Sequence, residues 1–148
     1  MPRAVVDTSL LVRMVTGTPG ASPLYRLWRA GHFDLLISPH LLDELAEVLE
    51  RPHLQRYLRP GAAHTFLTLL RAEATVIAPA LHINLCRDPK DDALLEVAAS
   101  GQADYLVSGD QDLTDDSHLK RTMKAEYGVN VVTSSELLAA LEERSTTR

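Results

Sequence analysis

Residues 87–113 read RDPKDDALLEVAASGQADYLVSGDQDL, and the order of signals within this stretch decides the fold class. Asp88 followed by Pro89 has the form of a helix N-cap with proline in the first turn, where a missing N–H leaves no bond unmade. Asp91, three residues after Asp88, stands where a capping box places an acid that reaches back to the cap. That leaves Asp92 without a structural task. Ala98 to Gln102 read as the helix end, with Gly101 past it. Tyr105, Leu106 and Val107 form a short apolar run of the kind a buried parallel strand uses. Ser108, Gly109, Asp110, Gln111 and Asp112 follow at once. Ligands in open α/β sheets bind beyond the carboxyl ends of the strands, which makes Asp110 and Asp112 candidate functional acids. Gly-Asp sequences are also common turns, and this stretch alone leaves both readings open.

The same succession of strand, acid and helix recurs outward from it. Ala4 to Val6 is an apolar first strand ending in Asp7, a carboxylate that burial desolvates and that needs a partner or a metal. Thr8 or Ser9 can cap the next helix, Leu10 to Val15, and a competing reading makes Asp7 the cap. Residues 16–23 hold two Gly and two Pro and read as a loop. Leu24, Leu27 and Trp28 give a short helix, Leu35 to Ile37 a second strand, and Ser38-Pro39 opens a helix to about Glu50. At about 100° per residue, Leu41, Leu42, Leu45, Ala46, Val48 and Leu49 form its apolar face. Glu47 points away from that face and Glu44 sits on its shoulder, slightly better placed to lean inward than Asp43.

Residues 51–72 carry Arg51, Arg56, Arg59, Arg71, His53 and His64 and no acid. They form either a solvated helical surface or, through Arg51, Arg56 and Arg59, a surface for RNA or a protein partner. Ala74 to Ala78 reads as a third strand closed by Pro79. Residues 114–128 are polar and of mixed charge, with no conformation assigned. Val129 to Val132 is a last strand, after which Thr133 or Ser134 caps a terminal helix with Glu136 two or three residues on. The last residues, 145–148, are expected to fray. Five strands alternating with helices predict an α/β three-layer α/β/α sandwich around a central, mainly parallel five-stranded sheet.

Length and composition agree with one domain over residues 1–148: 45% of residues are hydrophobic and 24% charged. Aromatic residues make up 5%, too few for a surface that grips nucleic acid mainly by stacking. One cysteine rules out an internal disulfide and fits a reducing compartment. No apolar run approaches the roughly 18 residues of a membrane span, and the first residues have no signal-peptide core, so a cytoplasmic protein is expected. The net charge of −5 argues against binding nucleic acid by bulk electrostatics. It leaves room for a site where clustered carboxylates hold cations.

In a parallel sheet the strand ends share one rim, so Asp7, Asp110 and Asp112 can meet Glu44 and Asp92 from adjoining helices. Several carboxylates cannot stay ionised together without cations. Hard oxygen ligands suit Mg²⁺ or Mn²⁺, and the lone Cys and scattered His give no zinc spacing.

The pieces VVDTS, LLISPHLLDELAEVLERP, RDPKDDALLEVAASGQADYLVSGDQDL and VNVVTSSELL, in this order over most of the chain, resemble the PIN-domain family and its VapC-like, toxin-component branch. The resemblance implies a metal-dependent endoribonuclease that hydrolyses RNA phosphodiester bonds. It implies catalytic acids at Asp7, Glu44, Asp92 and Asp110, and metal ligands at Asp7, Asp92, Asp110 and Asp112. Thr8, Ser9 and Ser108 would support these through hydrogen bonds. It further implies Mg²⁺ or Mn²⁺ as cofactor, an RNA substrate, a homodimer and a cognate antitoxin. Ser9 stands where the family usually has Asn, and Thr114–Tyr127 is longer than usual. Two rivals remain. A phosphohydrolase of the haloacid-dehalogenase type needs a second Asp where Ser9 stands. A catalytically silent PIN-like protein would bind RNA or a partner without cutting.

Overall fold

The structure, a computed structural model, describes residues 1–17 and 22–146. The expected loop 16–23 lies partly outside the described residues, as does the expected frayed end. Strands β1 (Arg3–Val6), β2 (Asp34–Ile37), β3 (Thr75–Val76), β4 (Tyr105–Val107) and β5 (Asn130–Val132) form one sheet in the order β3-β2-β1-β4-β5. Every neighbouring pair is parallel. Ala4, Val5, Leu106 and Val107 are each 0% exposed, because a parallel sheet is covered on both faces and its middle strands must be apolar on both sides.

Helices α1 (Thr8–Thr16), α2 (Pro23–Arg29), α3 (Pro39–Leu49), α4 (Pro52–Gln55) and α5 (Ala62–Glu73) precede β3, and α6 (Pro89–Ser100) follows it. After β4 come α7 (Gln111–Thr114) and α8 (Ser117–Tyr127), and α9 (Ser134–Thr146) follows β5. Right-handed crossovers put the helices of the outward walk from β1 to β3 on one face and those of the return walk on the other. The packing agrees: α1, α3 and α5 touch one another, and α6 packs on α8. The strand order reverses beside β1, where the chain goes out through β2 and β3 and comes back to β4. A crevice therefore opens past the adjacent carboxyl ends of β1 and β4.

One expectation needs correction. The third strand is two residues long, not the five of Ala74 to Ala78, and both are exposed; as the sheet's edge it has one neighbour to pair with, and Pro79 stands three residues past its end. The left-handed residue at the end of α6 is Gln102 (φ 53°), with Gly101 at −84°. Gly101 is required for room: a Cβ there would stand 2.9 Å from Leu36 Cδ1 and 3.1 Å from Ile77 Cγ1. Residues 117–127 are helical, capped by Asp116, whose side chain accepts from Leu119 N–H, and ended by left-handed Gly128.

Residues 77–88 cross from the sheet edge to α6 without regular structure, and four of their N–H groups bond side chains of that helix. Ala80 N–H donates to Ser100 Oγ at 3.1 Å, Ile83 N–H to Glu96 Oε2 at 2.9 Å, and Leu85 and Cys86 N–H both to Asp92 Oδ1 at 2.9 Å. Asp92, Glu96 and Ser100 are four residues apart, so they form one stripe on the helix, and the connecting segment runs antiparallel along it.

Candidate active site

Val6 of β1 pairs with Val107 of β4, and Asp7 N–H donates to Val107 C=O at 3.0 Å. The Asp7 side chain therefore starts at the crevice. It is 6% exposed, and burial of a carboxylate at such a place demands donors. Four are present. Asp7 Oδ1 accepts from Ser9 Oγ at 3.0 Å and Leu10 N–H at 2.9 Å; Oδ2 accepts from Ser108 Oγ at 2.6 Å and Gly109 N–H at 3.1 Å. Ser108 Oγ in turn accepts from Asp110 N–H at 2.9 Å. Asp7 is thus itself the N-cap of α1, which corrects the expectation that Thr8 or Ser9 caps this helix.

A cleft of about 220 Å³ opens above these groups. Asp7, Thr8 and Ser9 line it from the end of β1, Glu44 from α3, Asp88, Lys90 and Asp91 from the start of α6, and Asp110 from the end of β4; Leu41 and Leu94 form its apolar wall. Glu44 is half-buried and Asp43 exposed, in line with the shoulder position of Glu44 on its helix. Asp110 caps α7, accepting from Asp112 N–H at 2.9 Å, so it is a turn residue that also faces the cleft.

Asp91 and Asp92 sit otherwise than expected, where Asp91 was the capping acid and Asp92 the one facing the site. Asp92, 8% exposed, turns its carboxylate to the N–H groups of Leu85 and Cys86 and does not line the cleft. Asp91, about 100° around the helix from it, does line the cleft, and it makes no capping-box bond to Asp88; the Asp88 side chain accepts from Lys90 N–H instead. Burial, followed by the charges of Asp110, Asp88, Asp112 and Asp7, pushes the Asp91 carboxyl up to about 6. The stripe Asp92, Glu96, Ser100 was present in the sequence as a signal, since polar residues repeating every four positions on a half-buried helix need partners.

Asp112 lies in a second depression of about 310 Å³ that shares Asp88 and Asp91 with the first and is also lined by Cys86 and Arg87. It is not among the residues around Asp7. Burial, then a hydrogen bond from the thiol to Asp92, pushes Cys86 up to about 12, so it stays a protonated thiol. Arg51, Arg56 and Arg59 are exposed and none lines the cleft. Arg59 borders an apolar groove against Met14 and Val15, at the opposite end of α1 from Asp7.

The donor chemistry around Asp7 fits a hard divalent cation: among the described residues the cleft offers carboxylate and hydroxyl oxygens and no imidazole or thiol. Mutual repulsion, which adds to burial in raising Asp91, is what a cation would relieve. The carboxylates line the cleft without closing on one point; among the described residues no three His, Cys, Asp or Glu side chains form a ready metal cluster. No described helix is long and apolar enough to cross a membrane.

A family model described as PIN domain matches residues 3–112, from the first strand through Asp112. An uncharacterized protein of Methanocaldococcus jannaschii is 34% identical over 79 residues, which are 51% of this chain and 49% of that protein. The chain spans about half the length of the curated relative it matches. The extent of the family match, over most of the chain and all of the cleft, means that this protein belongs to the PIN-domain family, whose general chemistry is nuclease-type hydrolysis.

Proposed function

We propose that the protein is a metal-dependent endoribonuclease whose working acids are Asp7, Glu44, Asp91 and Asp110. One observation carries the reading: four carboxylates from four separate elements face one cleft at the reversal point of the sheet, and one of them, Asp91, is raised by burial and then by the charges of its neighbours. Such clustering of perturbed acids is costly to the fold and is characteristic of functional sites.

Mg²⁺ or Mn²⁺ held by Asp7, Asp91 and Asp110 would supply an activated water and offset charge on the phosphate. The chain's own residues do the rest. Two backbone N–H groups and two serine hydroxyls fix the Asp7 carboxylate, so its orientation does not relax when substrate enters. Ser108 ties Asp7 to the backbone of Asp110, holding two acids in one arrangement. Glu44, reaching in from α3, accepts the proton as water oxygen attacks phosphorus. The bond from phosphorus to the leaving sugar oxygen breaks, and that oxygen takes a proton from solvent. Thr8 lines the cleft beside Asp7. Asp112, in the adjoining depression, is assigned to its rim.

A toxin role in a toxin–antitoxin pair, with a cognate antitoxin and a homodimer, is the finer part of this reading; the VapC-like sequence pieces support it. A second reading, a silent PIN-like protein that binds RNA or a partner without cutting, is favoured by the absence of a closed metal cluster among the described residues. Labelled RNA incubated with the purified chain separates the two. The expected result is cleavage with Mn²⁺ or Mg²⁺, none with a chelator and none for Asp7→Asn. Intact RNA together with no rise in thermal midpoint on adding Mn²⁺ sinks the catalytic reading. Growth arrest on expression, relieved by Asp7→Asn, tests the toxin role.

A further inference from the structure

Two cations stand beside the acids of the two hollows, each without a partner among the described residues. Lys90 lines the cleft that holds Asp7 and Asp91, and Arg87 lines the adjoining depression; the two hollows share Asp88 and Asp91. Both side chains are exposed. Among the described residues the Lys90 ammonium and the Arg87 guanidinium make no ion pair within 4.0 Å. Nor does either side chain make a hydrogen bond there.

The position of Lys90 runs against local preference. It is in the first turn of α6, immediately after Pro89, where the helix dipole disfavours positive charge. A residue that breaks a local rule without a compensating contact points to a task outside folding. The cleft's chemistry supplies one, because a rim of carboxylates repels a polyanion and some group must offset that.

We infer that Arg87 and Lys90 are the phosphate-binding residues of this site. Each takes non-bridging oxygens of a backbone phosphate, one on either side of the ridge formed by Asp88 and Asp91, and so sets the phosphodiester across the acids. Arg87 offers a planar fork suited to two oxygens, and Lys90 a point charge. The inference rests on the nuclease reading. It replaces the Arg51–Arg59 stretch as the RNA-contacting surface.

Anisotropy of a labelled single-stranded RNA over a KCl series tests it, with Ca²⁺ in place of Mg²⁺ so that binding is read without turnover. Each phosphate contact contributes about 0.7 to the slope of log affinity against log salt for a single strand. Arg87→Ala and Lys90→Ala should each lower the slope by about 0.7 and weaken binding about tenfold; Lys90→Arg should keep the slope. In cleavage assays the alanine variants should raise KM and lower kcat/KM about tenfold, and an unaltered thermal midpoint establishes that they fold. If the wild type cleaves RNA while both variants keep its slope and KM, this inference is overturned and the nuclease reading stands. Loss of slope in Arg51→Ala or Arg59→Ala, with none at Arg87 or Lys90, also overturns it. A wild type that neither binds nor cleaves RNA overturns both.

Discussion

Exchanging one carboxylate for an amide at two adjacent positions should move stability in opposite directions. Asp91 has its carboxyl raised from 3.8 to about 6. Between those values the folded protein holds a proton that the unfolded chain has released, so raising the pH through this window lowers stability. The penalty is absent below about pH 3 and complete above about pH 7. A shift of about two units at about 1.36 kcal/mol each gives an upper bound near 3 kcal/mol; water reaching the half-buried carboxylate screens this to about 1–2 kcal/mol. Without metal, Asp91→Asn should therefore raise the thermal midpoint at pH 7 by about 3–8 °C for a chain of this size. The gain should fade toward pH 4.

Asp92→Asn should do the reverse. The amide oxygen can still accept from Leu85 and Cys86 N–H, but the bonds lose their charge assistance, at a cost of about 1–2 kcal/mol. Thermal denaturation of both variants across pH 4–8 in a chelator, paired with RNA cleavage in Mn²⁺, reads the outcome. Asp91→Asn should be more stable and inactive, and Asp92→Asn less stable and partly active. An Asp92→Asn protein that is stabilised and dead, beside an Asp91→Asn protein with ordinary activity, would show the pair to be assigned the wrong way round.

Gly101→Ala should destabilise by about 1–3 kcal/mol in urea denaturation, because the new methyl overpacks against Leu36 and Ile77 although the backbone there suits any residue. Cys86, with its thiol pushed up to about 12, should react with a thiol reagent at pH 8 far more slowly than an unfolded control, and Asp92→Asn should speed the reaction. Thr133 and Glu136 exchange bonds at the start of α9, Thr133 N–H to Glu136 Oε1 at 3.0 Å and Glu136 N–H to Thr133 Oγ1 at 3.2 Å. Thr133→Ala should cost about 1 kcal/mol by thermal denaturation. The Glu136 carboxyl is held below its usual range by the Thr133 N–H, so the stability it adds is present above about pH 4.5 and lost as acid protonates it.

What the sequence determined by itself is what periodicity and punctuation encode. Apolar runs at Ala4–Val6, Leu35–Ile37, Tyr105–Val107 and Val129–Val132, each followed by a capped helix, force a buried parallel sheet, since no other arrangement hides strands that are apolar on both faces. The helix period likewise put Glu44 on the cleft side and Asp43 outside. The rest depended on partners distant in the chain. A two-residue edge strand leaves almost no pattern, and the conformation of residues 77–88 depends on a helix stripe that they precede. Asp91 and Asp92 are chemically identical neighbours at one helix start, so local rules could not tell them apart. The choice fell to two unpaired N–H groups at Leu85 and Cys86, which only tertiary packing delivers. Burial forced those donors to find an acceptor, Asp92 was the acid facing them, and Asp91 was left to face the cleft.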